Sequence, residues 1–449
     1  MKKLTGKEVT DYHKKYIMQS WSRSGTAAIP VEKAEGIYFW DYDGKKYADM
    51  SSLLVCSNLG HGNKEIAQAI QKQAGELCFM APAYATEQKS LLAKRLVELA
   101  GHDFSRVFFT NGGADSNENA IKMARMVTGR SKIMSCYRSY HGATLGASNA
   151  SGDWRRFAAE IGGANGFVHF MNPNVYEDGY TRGVDEEECT EKYLKALDLQ
   201  IRYEGGENIA AILMESIVGA NGVIIPPKGY MEGVRKLCDK YGILMICDEV
   251  MSGFYRTGKA FAWENFDIVP DMITFAKGVT NACVPLGGVI VNKRIAEYFE
   301  ENVLQCGLTY SGHTLACAAG NAALDYYENH SIAEHVIEMG EILRQYMLEM
   351  EKKHKCVGEV RCIGLFAAFE MVKDKERRIP LAEYHQSDSV VPQIIAELKK
   401  RGFATFGRES NINVCPPLII TKDELEEYLP ILDEVFTWAD EKFCQTGGV

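Results

Sequence analysis

Three charged residues end runs of apolar ones: Glu215 closes AAILME, Asp248 closes ILMICD and Lys277 closes MITFAK. A charge in that setting must reach solvent or find a buried partner. A lysine held among apolar strands loses its proton readily, and its free amine forms an imine with an aldehyde. A buried aspartate can keep a pyridine nitrogen protonated, which turns the ring into an electron sink. Each residue alone also fits an ordinary charge at the rim of a sheet. Together, at successive strand ends, they point to chemistry, because ligands of open α/β sheets gather there.

A second element is VFFTNGGADSNENAIKMAR, a strand running through a Gly-Gly turn into an amphipathic helix. Gly112, Gly113 and Ala114 have little or no side chain, so their backbone N–H groups can approach a phosphate at the helix N-terminus, where the dipole favours an anion. Gly-Gly before a helix is also a common tight turn, and the segment is neither a Walker A motif nor GxGxxG. Tyr140, followed by His141 in SYHG, ends the next apolar segment. An aromatic there stacks on a planar cofactor or simply packs.

The elements that must position these groups follow from hydrophobic patterning. Between about residues 85 and 325, short apolar runs predict strands over 107–110, 132–135, 167–171, 209–215, 243–248, 272–276 and 288–292. They alternate with helical stretches such as 231–240, which leads into Gly242 as a stop signal. Nearly continuous apolar strands separated by helices predict an α/β domain with a mostly parallel sheet. Upstream, EGIYFWDYDGKKYADM reads as a hairpin whose left-handed turn is supplied by Asp43-Gly44. Downstream, helices over 332–354 and 389–401 around a strand-like 364–371 predict a smaller α+β domain.

Composition removes several classes of function. The 449 residues are 46% hydrophobic, enough for a large core, and a net charge of −10 argues against a nucleic-acid-binding surface. Anionic substrates therefore need local positive groups inside the site. No apolar run reaches the length of a membrane span, and the basic N-terminus lacks the apolar stretch of a secretory signal. The 13 cysteines are scattered and never form a CxxC pair, so neither a disulfide framework nor a zinc site is expected. A cytoplasmic protein with reduced thiols is the expectation.

Together the segments FTNGGADSNENAIKMAR, SYHG, ILMESIVGANGVIIPP, DEVMSGFYRTGK, DMITFAKGVTNACVPLGG and GLTYSGHTLACAAG resemble the class III aminotransferases, the ω-transaminase branch of the fold type I pyridoxal-phosphate (PLP) enzymes. Asp248 and Lys277 lie 29 positions apart (277 − 248), as in that family. The resemblance implies residues 1–60 as a segment packing with the small domain and covering the active-site mouth, 61–325 as the large PLP domain and 326–449 as the small domain. It implies Lys277 as the cofactor-bearing lysine and proton carrier, and Asp248 as the partner of the pyridine nitrogen. Val250 and Tyr140 would flank the ring, with Gly113 and Ala114 at the phosphate and His141 and Glu215 in the cofactor shell. Thr309 would reach the phosphate of a second subunit, so a homodimer is expected.

Departures from the family pattern bear on the substrate. Ala114 stands where relatives carry serine, and Ser216 where they carry proline. Phe406 stands where many relatives keep an arginine that grips a substrate carboxylate, and Arg408 is two residues off that register. The segments QSWSRSG and SGDWRRF, with Trp21, Arg155 and Arg156, resemble those of taurine aminotransferases. The resulting expectation is an amino-sulfonate donor held by Arg156 and Trp21, with Arg155 pointing elsewhere. The expected acceptor is a 2-oxo acid, 2-oxoglutarate ahead of pyruvate, with Arg408 serving the dicarboxylate. Transamination of β-alanine, 4-aminobutyrate or a diamine, and PLP isomerisation, are the alternatives.

Overall fold

The computed structural model describes residues 3–23, 25–160, 163–385 and 390–444. Its centre is a seven-stranded sheet built from β1 (Phe104–Thr110), β2 (Lys132–Cys136), β3 (Phe167–Phe170), β4 (Ile209–Glu215), β5 (Leu244–Asp248), β6 (Met272–Phe275) and β7 (Gly287–Asn292). The spatial order is β1-β7-β6-β5-β4-β2-β3. Pairing is parallel from β3 through β6, and β7 runs antiparallel to both its neighbours. β4, β5 and β6 are buried along their whole length, which explains their unbroken apolar runs. The seven predicted strands each fall on one of these, with ends shifted by a few residues.

The first turn behaves as expected at one position of two. Gly44 has φ +80°, the left-handed conformation that glycine adopts at no steric cost. The organising carboxylate is that of Asp41, whose Oδ1 accepts the amides of Asp43 and Lys45 at 3.0 and 2.9 Å. The hairpin Tyr38–Asp41 with Lys46–Asp49 continues into the C-terminal half through a parallel pairing of Ala48 and Asp49 with Phe403 and Ala404.

In the C-terminal half, Val357–Ile363, Phe366–Asp374 and Asn411–Val414 form an antiparallel sheet under the helices Ile332–Lys353 and Lys422–Phe443. The helix expected over 389–401 is observed as Val391–Lys400, while position 389 lies outside the described residues. His354, almost fully buried, ties the two long helices together: Nδ1 lies 2.9 Å from Asp440 Oδ2 and Nε2 lies 2.8 Å from Asp433 Oδ1. Burial pulls the imidazole pKa down, but the two carboxylates outweigh it and the net shift is upward. Asp433 and Asp440 are shifted down. The sign of the linkage follows. The raised histidine contributes stability that is fully present below about pH 6.5 and is lost as pH rises through its folded-state value. The lowered aspartates contribute stability present above about pH 4 and lost as pH falls through theirs. His354→Gln is therefore expected to lower the melting temperature more at about pH 5.5 than at about pH 8.5. An equal loss at both values would show that the imidazole is merely packed.

Candidate active site

β4, β5 and β6 end side by side, which brings Glu215, Asp248 and Lys277 to one edge of the sheet and into one cavity of about 530 Å³. Asp248 forms the floor and is 3% exposed. Its Oδ2 accepts Asn117 Nδ2 at 2.7 Å and lies 2.7 Å from His141 Nδ1, while Oδ1 accepts the amide of Val250 at 3.0 Å. His141 thus lies behind the aspartate and orients it. Asn117 lies in the helix that follows the Gly-Gly turn, and sequence reasoning gave it no role. It also donates to the His141 carbonyl and accepts from Thr274 Oγ1, so it fixes three parts of the floor at once. A polar residue on the buried face of an amphipathic helix, one turn past a Gly-Gly, was the available signal.

Lys277 follows β6 with φ +49°, an uncommon backbone state for a residue with a side chain. The helix Gly113–Thr128 starts at the wall of the same cavity. Its N-cap is Gly112, with no side-chain cap, so the first amides of the helix keep their hydrogen-bonding capacity for a ligand. Gly113 is required sterically: a Cβ there would lie 2.7 Å from Val250 Cγ1. Glu215 is held by backbone donors, Tyr140 N to Oε1 at 3.0 Å and Gly219 N to Oε2 at 2.8 Å. Burial pushes its carboxyl up to about 7. Ser216 does something proline cannot: its hydroxyl donates at 2.5 Å to Glu249, a buried carboxylate that also accepts Ser252 Oγ and the amides of Ala262 and Trp263.

The substrate side of the cavity departs from expectation. Arg155, not Arg156, lines it. Asp153 caps the short 3₁₀ turn Trp154–Arg156 by accepting the Arg155 amide at 3.0 Å, and its other oxygen takes Arg155 Nε at 2.8 Å. That grip lays the Arg155 guanidinium on the Tyr140 ring, 3.5 Å from its centroid. One residue further round the turn, Arg156 faces the other way, donating to Glu160 at 2.6 Å and lining a neighbouring cavity of about 380 Å³. Trp21 stands at the mouth with its ring 6.4 Å from that of Tyr140. Phe406 and Arg408 complete the wall, and Arg408 Nη1 lies 3.7 Å from Asp153 Oδ2. Leu54 and Cys56 also contribute, from a loop that sequence reasoning did not connect to the site. Thr309 is exposed on this chain and lies outside the cavity lining.

A parallel sheet with a single reversed strand, a lysine and an aspartate on adjacent strand ends and an uncapped helix N-terminus at the same cavity define a fold type I PLP-dependent transferase. The chain belongs to the class III aminotransferases: the family model Aminotransferase class-III matches residues 20–436. Its structure superposes on that of a taurine:2-oxoglutarate aminotransferase from Bifidobacterium kashiwanohense, in complex with PLP and glutamate, with a TM-score of 0.98 and 69% identity over 99% of this chain and 100% of that one. Among curated proteins it is 31% identical to a taurine–pyruvate aminotransferase of Bilophila wadsworthia over 97% of this chain and 98% of the relative. It is 30% identical to a diaminobutyrate–2-oxoglutarate transaminase of Halomonas elongata over 98% and 96% respectively. Enzymes of this family use PLP, and the residues present fit it: bare amides for a phosphate, a carboxylate on the floor, an amine at the edge and an aromatic wall. Among the described residues no helix is long and apolar enough to cross a membrane.

Proposed function

We propose that this aminotransferase moves the amino group of taurine to 2-oxoglutarate, giving sulfoacetaldehyde and glutamate. PLP, when bound, supplies an aldehyde and an electron-accepting ring. Lys277 would be its covalent anchor and, as a free amine, would take and return the proton of the donor's amine-bearing carbon at Nζ. Asp248, oriented by His141, Asn117 and the Val250 amide, holds the proton of the ring nitrogen. Gly113 and Ala114 offer amides to the phosphate, and Val250 and Tyr140 bound the ring.

The observation that carries the choice of donor is the pair of guanidiniums, Arg155 and Arg408, lining the same cavity as Lys277. A sulfonate stays anionic at every working pH and presents three tetrahedral oxygens, which suits converging guanidinium and indole donors. Arg155 takes the role that the resemblance to taurine aminotransferases had suggested for Arg156, with Trp21 as second donor and wall. Arg408 serves the second carboxylate of the acceptor. The similarity to the Bifidobacterium enzyme supports both substrates, and 2-oxoglutarate over pyruvate rests on it. The active unit is a homodimer in which Thr309 reaches the other subunit's phosphate site. The exposure of the large apolar side chains Leu53, Leu54 and Tyr310, of which Leu54 lines the cavity, supports this.

Arg155→Met is expected to weaken the taurine half-reaction by about 2–4 kcal/mol, the cost of removing a desolvated charged partner. Arg156→Met should change it less than about tenfold. Single-turnover absorbance of the PLP form with taurine checks both. The reverse ranking would return the grip to Arg156.

A further inference from the structure

We propose that Asp153 is a positioning residue that sets donor selectivity by holding Arg155 in one orientation and leaving the cavity wall with a single net positive charge. The proposal rests on the reading of Arg155 as the anion grip. Asp153 is fully buried, and a buried carboxylate is costly unless several donors satisfy it. Here they do. One oxygen accepts the Arg155 amide, and the other accepts Arg155 Nε and Nη2, with Asn221 Nδ2 at 3.4 Å and Arg408 Nη1 at 3.7 Å.

The consequence is geometric first. With Nε and Nη2 occupied by Asp153, and its face on Tyr140, the Arg155 fork keeps its remaining edge for a ligand. A long, flexible side chain is thereby ordered before substrate arrives. Arg408 is tied more loosely. Its buried Nη1 makes no hydrogen bond, so it can turn to a ligand without breaking one. The second consequence is charge. Around Asp153, two guanidiniums against one carboxylate leave one unit of positive charge, which one sulfonate or carboxylate tail neutralises; Glu409, whose charge also acts on Arg408, lies outside the cavity lining. Without Asp153 the two cations would face each other; burial, and then the charge of Arg155, already hold Arg408 below the usual guanidinium range.

Positioning and plain electrostatics give opposite signs, so one variant separates them. Asp153→Asn keeps the shape and the capping oxygen but removes the charge and places an N–H₂ group against a guanidinium. If Asp153 were only a nearby negative charge, its loss would tighten anion binding. The proposal expects ethanesulfonate, taurine without its amine, to bind the holoenzyme of Asp153→Asn about tenfold or more weakly by calorimetry. Taurine half-reactions should lose in the saturation constant rather than the limiting rate. Propylamine, which has no anionic tail, should lose less than taurine does, and the PLP absorbance should be unchanged. In an Arg155→Met background Asp153→Asn should add no further loss. Ethanesulfonate binding as tight as in the parent, or tighter, overturns the proposal. Should Asp153→Asn fail to fold, Arg155→Lys answers the same question: it keeps the charge and loses the fork, and parent-like ethanesulfonate binding by it overturns the proposal equally. If Arg155→Met itself binds ethanesulfonate like the parent, the anion-grip reading falls and this proposal with it. If Arg155→Met weakens binding and Asp153→Asn does not, the grip stands and the positioning role alone fails.

Discussion

Lys277→Ala is expected to abolish turnover, by about 10⁴-fold or more, while the protein still binds PLP noncovalently. One change removes both the amine that bonds the cofactor and the base that moves the proton of the amine-bearing carbon, and each contributes several orders of magnitude. The remaining groups of the site do not depend on that amine. Asp248 keeps its three hydrogen-bonding partners, and the helix starting at Gly113 keeps its uncapped amides. Borohydride should fix the cofactor onto Lys277 in the parent enzyme, as peptide mass spectrometry reads it, and should fix none in the variant. Turnover within about tenfold of the parent, or fixation at another residue, would remove Lys277 from the centre of the chemistry.

Asp248→Asn is expected to lower the limiting rate by about 10²–10³-fold with a smaller change in donor affinity, because a protonated ring nitrogen matters most as charge develops on the ring. The surroundings sharpen this expectation. Both carboxylate oxygens accept, from Asn117 Nδ2 and from the Val250 amide, and an asparagine amide has an N–H₂ group where one of these acceptors must be. The variant therefore loses charge and sets one donor against another. Steady-state and single-turnover kinetics separate the two effects. An increase in the Michaelis constant alone would show that Asp248 does not serve the ring nitrogen.

What sequence disclosed and what it hid divide along a physical line. Glu215, Asp248 and Lys277 were legible because a charge ending a buried strand has few explanations, and adjacent strands necessarily bring such ends together. β7 read correctly as a strand, but its reversed direction leaves no trace in a short apolar run. Asn117 was hidden because a buried asparagine looks like any other polar helix residue until its partner Asp248 is seen across the chain. Arg155 and Arg156 were indistinguishable by type and adjacent in position. Which of them faces the cavity is decided by Asp153, through a capping bond and an ion pair formed two residues away. Leu54 and Cys56 reach the cavity from a loop whose residues 52–55 all have positive φ, a conformation that no propensity of Ser-Leu-Leu-Val predicts.

The most direct measurement of the central claim is single-turnover conversion of the PLP holoenzyme by a matched set of amines: taurine, β-alanine, propylamine and putrescine. Each reaction would be followed by addition of 2-oxoglutarate or pyruvate and assay of the amino acid formed. The account predicts that taurine reacts fastest per mole, that propylamine and putrescine react at least about tenfold more slowly for want of an anionic tail, and that glutamate then forms from 2-oxoglutarate in stoichiometric amount. Equal or faster reaction of propylamine or putrescine would contradict it.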